Sequence, residues 1–171
     1  MVEPAERLDA SIDITAIRGV VGTVCDPEIP ILTIEDLGVL RDINIDRNEI
    51  VVTITPTYVG CPAMDTISSD IKQVLAAHGY ESVKVELVMS PAWTTDWLSA
   101  HAREKLLAEG IAPPNGVVKT KKELLGIDRP RKCPKCGSKD TECVSEFGST
   151  ACKALYRCRS CLEPFDYFKC I

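Results

Sequence analysis

The sequence predicts an α+β fold in which a small α-β-β-α-β-α domain is followed by a four-cysteine zinc ribbon. Helical and strand-like periodicities alternate over residues 1–112, and a stretch rich in proline and glycine follows. Seven of the nine cysteines then lie between Cys133 and Cys170. A chain of 171 residues has room for one domain with its own core and one small appendage. We therefore divide it into a first domain at 1–112, a basic linker at 113–131 and a ribbon at 132–171.

Three helices are predicted in the first domain because apolar residues recur there at helical spacing. They cover 12–24, 63–78, and a last stretch that begins at Thr94 or Thr95 and ends at Gly110. A proline follows the first helix closely and a glycine ends each of the other two, as helix-stopping residues do.

Three strands alternate with these helices. The β-branched segments 39–45 and 49–55 are separated by Asp-Arg-Asn at 46–48, a spacing that is typical of a hairpin, and 82–88 is a third strand. This order predicts helices packed on one face of a small mixed sheet.

Charge is divided unevenly along the chain. Residues 1–118 carry 8 basic and 18 acidic side chains, a net charge of −10, whereas 119–171 carry 12 and 7, a net charge of +5. The sequence has no apolar segment of about 20 residues and begins with an acidic rather than a basic stretch. We therefore expect a cytoplasmic protein.

Two C-x-x-C knuckles, separated by 21 residues, predict a metal site in the tail. The expected ligands are Cys133, Cys136, Cys158 and Cys161. Cys143 and Cys152 lie inside the gap as competing ligands, and Cys170 is a further thiol. A structural zinc ion suits a segment too small to support its own core. An iron-sulfur cluster on the same thiolates is the alternative that the residues leave open.

The aromatic side chains of the tail are expected to cover the ribbon core, with residues 165–168 as an alternative docking surface for a partner. They are Phe147, Tyr156, Phe165, Tyr167 and Phe168.

Cys61 is the most informative residue of the first-domain loops, which carry the motifs DPEIP, EDLG, TPTYVGCP and SPAWT. It immediately precedes a predicted helix, where free N–H groups and the helix dipole favour a thiolate. The alternative is a small residue at a helix start with no further role. Other polar and sulfur groups are interpreted as structural: Cys25 as a core residue, His78 and His101 as structural or solvated, and Asp26, Glu28 and Asp36 more often as caps than as ligands.

The motifs DPEIP, EDLG, TPTYVGCP and SPAWTTDW, over about residues 10–112, together resemble the MIP18 (DUF59) family, whose members assist iron-sulfur cluster assembly. The resemblance implies that Asp26, Thr57 and Cys61 are the functional loop residues, with Cys61 as the reactive thiolate. Many members of the family have a proline at the position of Val59. The loop that carries Cys61 therefore matches the family pattern less closely than the other motifs do.

The tail narrows the resemblance. CPKCGS, SEFGSTACKALYRC and CLEPFDYFKCI, after such a domain, are similar to the PaaD (PaaJ) family of phenylacetyl-CoA epoxidase subunits in phenylacetate degradation. This implies a non-catalytic accessory subunit that partners the oxygenase and reductase subunits of a multicomponent monooxygenase. It would help to assemble or maintain the reductase's iron-sulfur centre, using structural zinc and a transient cluster. A homodimer is compatible with such a small sheet.

Two other function classes remain at this point. A zinc ribbon with a basic linker can bind nucleic acid or a protein partner, although the acidic first domain would repel phosphates. A thiol enzyme would use Cys61 as nucleophile, but the sequence positions neither histidine as its base. The sequence also has no phosphate-binding glycine loop, so we do not expect ATP-driven chemistry.

Overall fold

The computed structural model describes residues 13–114 and 131–169. The first domain contains α1 (Ile14–Val21), β1 (Leu40–Asp46), β2 (Glu49–Ile54), α2 (Ala63–Ala77), β3 (Val83–Leu87) and α3 (Ala100–Ala108). The ribbon contains β4 (Thr141–Ser145), β5 (Lys153–Cys158) and β6 (Pro164–Phe168). The predicted fold class and the α-β-β-α-β-α order are confirmed. Most of the predicted linker and Cys170 fall outside the described residues. Within the described ranges, no helix is long and apolar enough to cross a membrane.

The first-domain sheet is mixed, in the order β1-β2-β3. β1 and β2 are antiparallel, with Ile43 opposite Val52, and Arg47 and Asn48 between them both have positive φ. Two such residues are what a tight hairpin turn requires. β2 and β3 are parallel, so α2 serves as the crossover that a parallel pair needs.

The core forms where α1 and α2 pack on this sheet. Ile67, Ile71 and Leu75 recur every four residues along α2 and are fully buried, as are Ile17 and Val21 of α1. Each such side chain contributes about 1.5–3 kcal/mol when removed from water. The helical spacing in the sequence therefore corresponds directly to the buried face.

The predicted last helix is wrong at its start. Thr94 caps only a short 3₁₀ turn at Thr95–Trp97, the backbone then becomes extended at Leu98, and Ser99 caps α3 through a bond from Ala102 N to its hydroxyl at 2.9 Å. The break lets Leu98 enter the core. It also brings the Trp97 side chain so close to Gly38 that a Cβ at residue 38 would lie 2.6 Å from it.

The ribbon packs against the first domain through its last strand. Ala112 donates to the Asp166 carbonyl at 2.8 Å and accepts from Phe168 N at 2.9 Å. The Phe168 ring is fully buried in the first-domain core, edge-on to Trp93 at a centroid distance of 6.2 Å. The ribbon has its own smaller core around Tyr156, Phe165 and Tyr167.

Three expectations about burial are therefore corrected. Phe168 belongs to the first-domain core because its strand pairs with the chain at Ala112. Phe147 is 66% exposed, because it lies in the connection between β4 and β5 and outside the strands. Cys25 is also exposed, beyond the end of α1.

Candidate functional site

The four knuckle cysteines converge on one point in the ribbon. The Cys133 and Cys161 sulfurs are 3.8 Å apart and those of Cys136 and Cys158 are 3.6 Å apart. All four sulfurs lie within 4.8 Å of one another. A tetrahedron with metal–sulfur bonds of about 2.3 Å has sulfur–sulfur edges of about 3.8 Å, whereas a disulfide would require about 2.05 Å. The donor set therefore fits one tetrahedral metal ion.

The knuckle backbone explains how the sequence builds this cluster. The residue after each C-x-x-C, Gly137 or Leu162, has a positive φ, which reverses the chain behind the second cysteine. Gly137 N also donates to the Cys133 carbonyl at 2.9 Å. Backbone N–H groups of Cys161 and Ser160 point at the Cys158 sulfur and lower its pKa. The pKa of Cys136 and that of Cys161 are raised, so of these three thiols only Cys158 is favoured as a thiolate by its turn.

The other ribbon cysteines are not part of this cluster among the described residues. Cys143 is exposed on β4. Cys152 is only 4% exposed and packs with the first-domain core rather than with the ribbon core. The sequence spacing had left Cys143 and Cys152 as candidate ligands, and the pairing of the strands places both outside the four-cysteine cluster.

Cys61 lies just before α2, separated from it by Pro62, and is 9% exposed. Its N–H donates to the Tyr58 carbonyl at 3.3 Å. Burial raises the pKa of the Cys61 thiol, although the Ala63 N–H and the Tyr58 hydroxyl both donate toward its sulfur and oppose the rise. The helix-start argument identified a real interaction, but the expectation of a favoured thiolate fails because desolvation outweighs it.

The DPE loop lies next to Cys61. The Asp26 carboxylate accepts bonds from Glu28 N at 2.8 Å and Ile29 N at 2.9 Å, so it caps its own loop. Burial raises the pKa of Asp26, and its charge and that of Glu28 add to the rise in the pKa of Cys61. Thr57 is buried in the cysteine loop, at 8% exposure. The fold therefore brings Asp26 and Cys61 within electrostatic reach of each other.

Sequence reasoning did not single out Tyr58, and it considered Glu28 only as a cap or ligand and Cys152 only as a competing ribbon ligand. The Tyr58 hydroxyl hydrogen-bonds to Cys61. Burial raises the pKa of Tyr58, and the negative charges of Cys61, Glu28 and Cys152 raise it further, so the hydroxyl keeps its proton. The Cys152 sulfur is 4.0 Å from Glu28 Oε2, a contact between residues 124 positions apart. The sequence signal for Cys152 was its position between the two C-x-x-C knuckles, outside both motifs.

Comparisons with known proteins match two separate parts of the chain to two family models. A family model described as "Iron-sulfur cluster assembly protein" matches residues 14–87, and one described as "PaaD zinc beta ribbon domain" matches residues 118–169. A solved "Domain of Unknown Function DUF59 from Bacillus anthracis" aligns with a TM-score of 0.51 at 31% identity, covering 54% of this chain and 90% of that one.

Two curated relatives match the chain to different extents. An "Fe-S protein maturation auxiliary factor" of Porphyromonas gingivalis is 37% identical over 49% of this chain and 81% of its own length. An Escherichia coli protein, named as one of the subunits of a "Putative 1,2-phenylacetyl-CoA epoxidase", is 49% identical over 85% of this chain and 86% of its own. With both domains matched in the same order, the chain belongs to the PaaD family of phenylacetyl-CoA epoxidase subunits.

Proposed function

We propose that this protein is a non-catalytic accessory subunit that assists iron-sulfur cluster assembly or maintenance in a phenylacetyl-CoA-epoxidising monooxygenase. The observation that carries the proposal is Cys61, a buried loop thiol with hydrogen-bond donors at its sulfur and two carboxylates nearby. Iron-sulfur clusters are held by cysteine thiolates, and second-sphere hydrogen bonds to sulfur tune such sites. Relatives named as iron-sulfur maturation factors support the same interpretation.

The surroundings of Cys61 favour holding cargo over nucleophilic catalysis. A catalytic thiol needs a base within hydrogen-bond reach. His78 instead bonds through Nδ1 to the Val74 carbonyl at 2.8 Å, and His101 lies 4.0 Å from Glu104 on α3. A raised thiol pKa also keeps Cys61 protonated and slow to react until a metal displaces the proton. In this proposal, Asp26 and Thr57 shape the loops around Cys61.

The ribbon site is proposed to hold structural zinc through Cys133, Cys136, Cys158 and Cys161. Zinc suits four thiolates at tetrahedral spacing, and it would supply folding free energy to a domain with a small core. The partners proposed for the whole chain are the oxygenase and reductase subunits, with the reductase's iron-sulfur centre as the client.

The test is a strain that carries Cys61→Ser in place of the wild-type protein. We expect the purified reductase to contain less iron and sulfide per chain and the complex to lose activity in proportion. Cys25→Ser is the matched control, because Cys25 is an exposed thiol of the same domain. A full complement of iron and sulfide in the reductase from the Cys61→Ser strain would refute the proposal.

A further inference from the structure

A cavity of about 280 Å³ lies where the segment after α3 meets the first knuckle of the ribbon. Its volume is close to the lower limit of about 300 Å³ for pockets that hold small molecules. Of the described residues that line it, two are basic and none is acidic. Its apolar walls come from both domains and include Leu107, Pro113, Pro134 and Tyr167. The cavity therefore combines apolar surface with positive charge.

Arg131 is the buried cation of this cavity. The residue is only 9% exposed, and its guanidinium lies 3.9 Å from the centroid of the Tyr167 ring. Its Nε is covered and has no hydrogen-bond partner among the residues that the structure describes. Burying a charge is costly unless the charge is paired, and the face of an aromatic ring offsets only part of that cost. Arg131 thus has an unused donor and needs a negative charge.

Both sides of the cavity are held by hydrogen bonds. The Arg131 carbonyl accepts a bond from Thr141 Oγ1 at 2.8 Å, which ties the start of the ribbon to β4. Arg103 donates through Nη1 to the Pro114 carbonyl at 2.8 Å and through Nη2 to the Thr95 carbonyl at 2.7 Å. These two bonds fix the segment after α3. The walls are therefore formed before any ligand enters, as is usual for small-molecule sites.

The lining of the cavity favours a singly charged carboxylate on an apolar body. A guanidinium offers paired N–H donors that match the two oxygens of a carboxylate. One buried cation balances one negative charge, because the second basic residue, Lys132, is exposed and its charge is screened by water and salt. A phosphate monoester would bring more charge than Arg131 balances. Leu107 is 48% exposed, so the apolar wall continues to the surface, where a ligand can enter.

We propose that this cavity is a binding site for a small organic carboxylate, with the carboxylate on Arg131 and the apolar body against the walls from both domains. Binding requires the Arg131 side chain to turn so that its covered Nε faces the ligand. The inference goes beyond the proposed function and does not depend on it, because neither Cys61 nor iron takes part.

Calorimetric titration of the zinc-loaded full chain with phenylacetate tests the site, because this probe combines one carboxylate with one apolar ring. We expect one molecule to bind per chain. Arg131→Gln should weaken binding at least about tenfold by removing the charged donor. Leu107→Glu, at an exposed position of α3, should also weaken it by adding a negative charge at the opening. Arg159→Gln is the matched control, because Arg159 is exposed and already paired with Glu142, and it should leave the affinity unchanged. Zinc content and tryptophan fluorescence verify that each variant is folded.

Two further probes separate the charge from the apolar body. Phenylacetamide keeps the ring without the charge, acetate keeps the charge without the ring, and each should bind at least about tenfold more weakly than phenylacetate. Acetate that binds as tightly would show that the cavity takes any carboxylate, including an acidic side chain of a partner, and would overturn the inference. So would phenylacetate that does not bind the wild type at up to about 10 mM, or that binds Arg131→Gln and Leu107→Glu as tightly as the wild type. The proposed function would stand in each case, since the iron content of the reductase from the Cys61→Ser strain tests it separately.

Discussion

Tyr58→Phe should slow the reaction of Cys61 with a neutral alkylating reagent at pH 7. Burial raises the pKa of Cys61 above the ordinary value of 9.0, and the Tyr58 hydroxyl is one of two donors that oppose the rise. A hydrogen bond to a charged group contributes about 1.5–3 kcal/mol. Because Tyr58 is partly exposed, we take a value just below this range, about 1.4 kcal/mol, which corresponds to one pKa unit.

The rate at pH 7 combines two opposing effects. One unit of pKa lowers the thiolate fraction about tenfold, while the more basic thiolate is about threefold more nucleophilic, for a Brønsted coefficient of about 0.4–0.5. The net expectation is alkylation about threefold slower at pH 7. Above the pKa of both proteins the order reverses, because only the nucleophilicity difference remains.

The assay is iodoacetamide labelling of the folded, zinc-loaded protein over a range of pH, followed by mass spectrometry of the Cys61 peptide. Cys25 and Cys143 are exposed and serve as internal references whose rates should not change. An unchanged or lower inflection pH for Cys61 in Tyr58→Phe would refute the hydrogen bond as a stabiliser of the thiolate.

Three further predictions concern the supports of the site. Phe168→Ala should destabilise the chain by about 3–5 kcal/mol, lowering the melting temperature on the order of 10 °C, because the ring is fully buried against Trp93. Phe147→Ala is the control: its ring is exposed, so the change should cost less than about 0.5 kcal/mol. Equal effects of the two changes would contradict the packing of the ribbon on the first domain through Phe168. Asp36→Asn should cost about 1–2 kcal/mol in urea unfolding at pH 7, and less at pH 3. Partial burial opposes ionisation of Asp36, yet its bonds to Lys105 at 2.7 Å, Thr33 and Ser99 hold its pKa below the usual value. The stability that these bonds contribute is therefore present above the unfolded pKa of about 4 and is lost as the pH falls through the folded pKa. An equal cost at both pH values would count against this role of Asp36. Removing zinc with a chelator should unfold the ribbon and, by withdrawing Phe168, change the fluorescence of Trp93; fluorescence that stays constant while zinc is lost would show that docking does not need the metal.

Short sequence patterns predicted the helices, the hairpin and the cysteine knuckles because interactions between neighbouring residues largely determine these features. The spacing of Ile67, Ile71 and Leu75 gave the buried face of α2, and the short polar turn at Arg47 and Asn48 gave the hairpin. The C-x-x-C spacing likewise predicted which four sulfurs converge. The first two signals lie within one element or one turn, and the third is a short motif that occurs twice; in each case periodicity or turn chemistry decides the local structure.

The errors arose where distant segments meet. Thr94 and Ser99 are both good caps, and only the packing of Leu98 and Trp97 decides that the helix begins at the second. The positions of Cys152 and Phe168 depend on strand pairing with Ala112, which no local pattern encodes. For Cys61 the sequence reveals the helix start but not the burial, and burial determines the direction of its pKa.

The most direct test of the central claim is the content of zinc, iron and acid-labile sulfide per chain. It compares wild type with Cys61→Ser after strictly anaerobic purification and incubation with ferrous iron and sulfide. We expect about one zinc in both proteins, with iron and sulfide in the wild type alone, because Cys61 lies outside the four-cysteine cluster of the ribbon. Iron and sulfide retained in Cys61→Ser, or absent from the wild type, would contradict Cys61 as the ligand of iron-sulfur cargo.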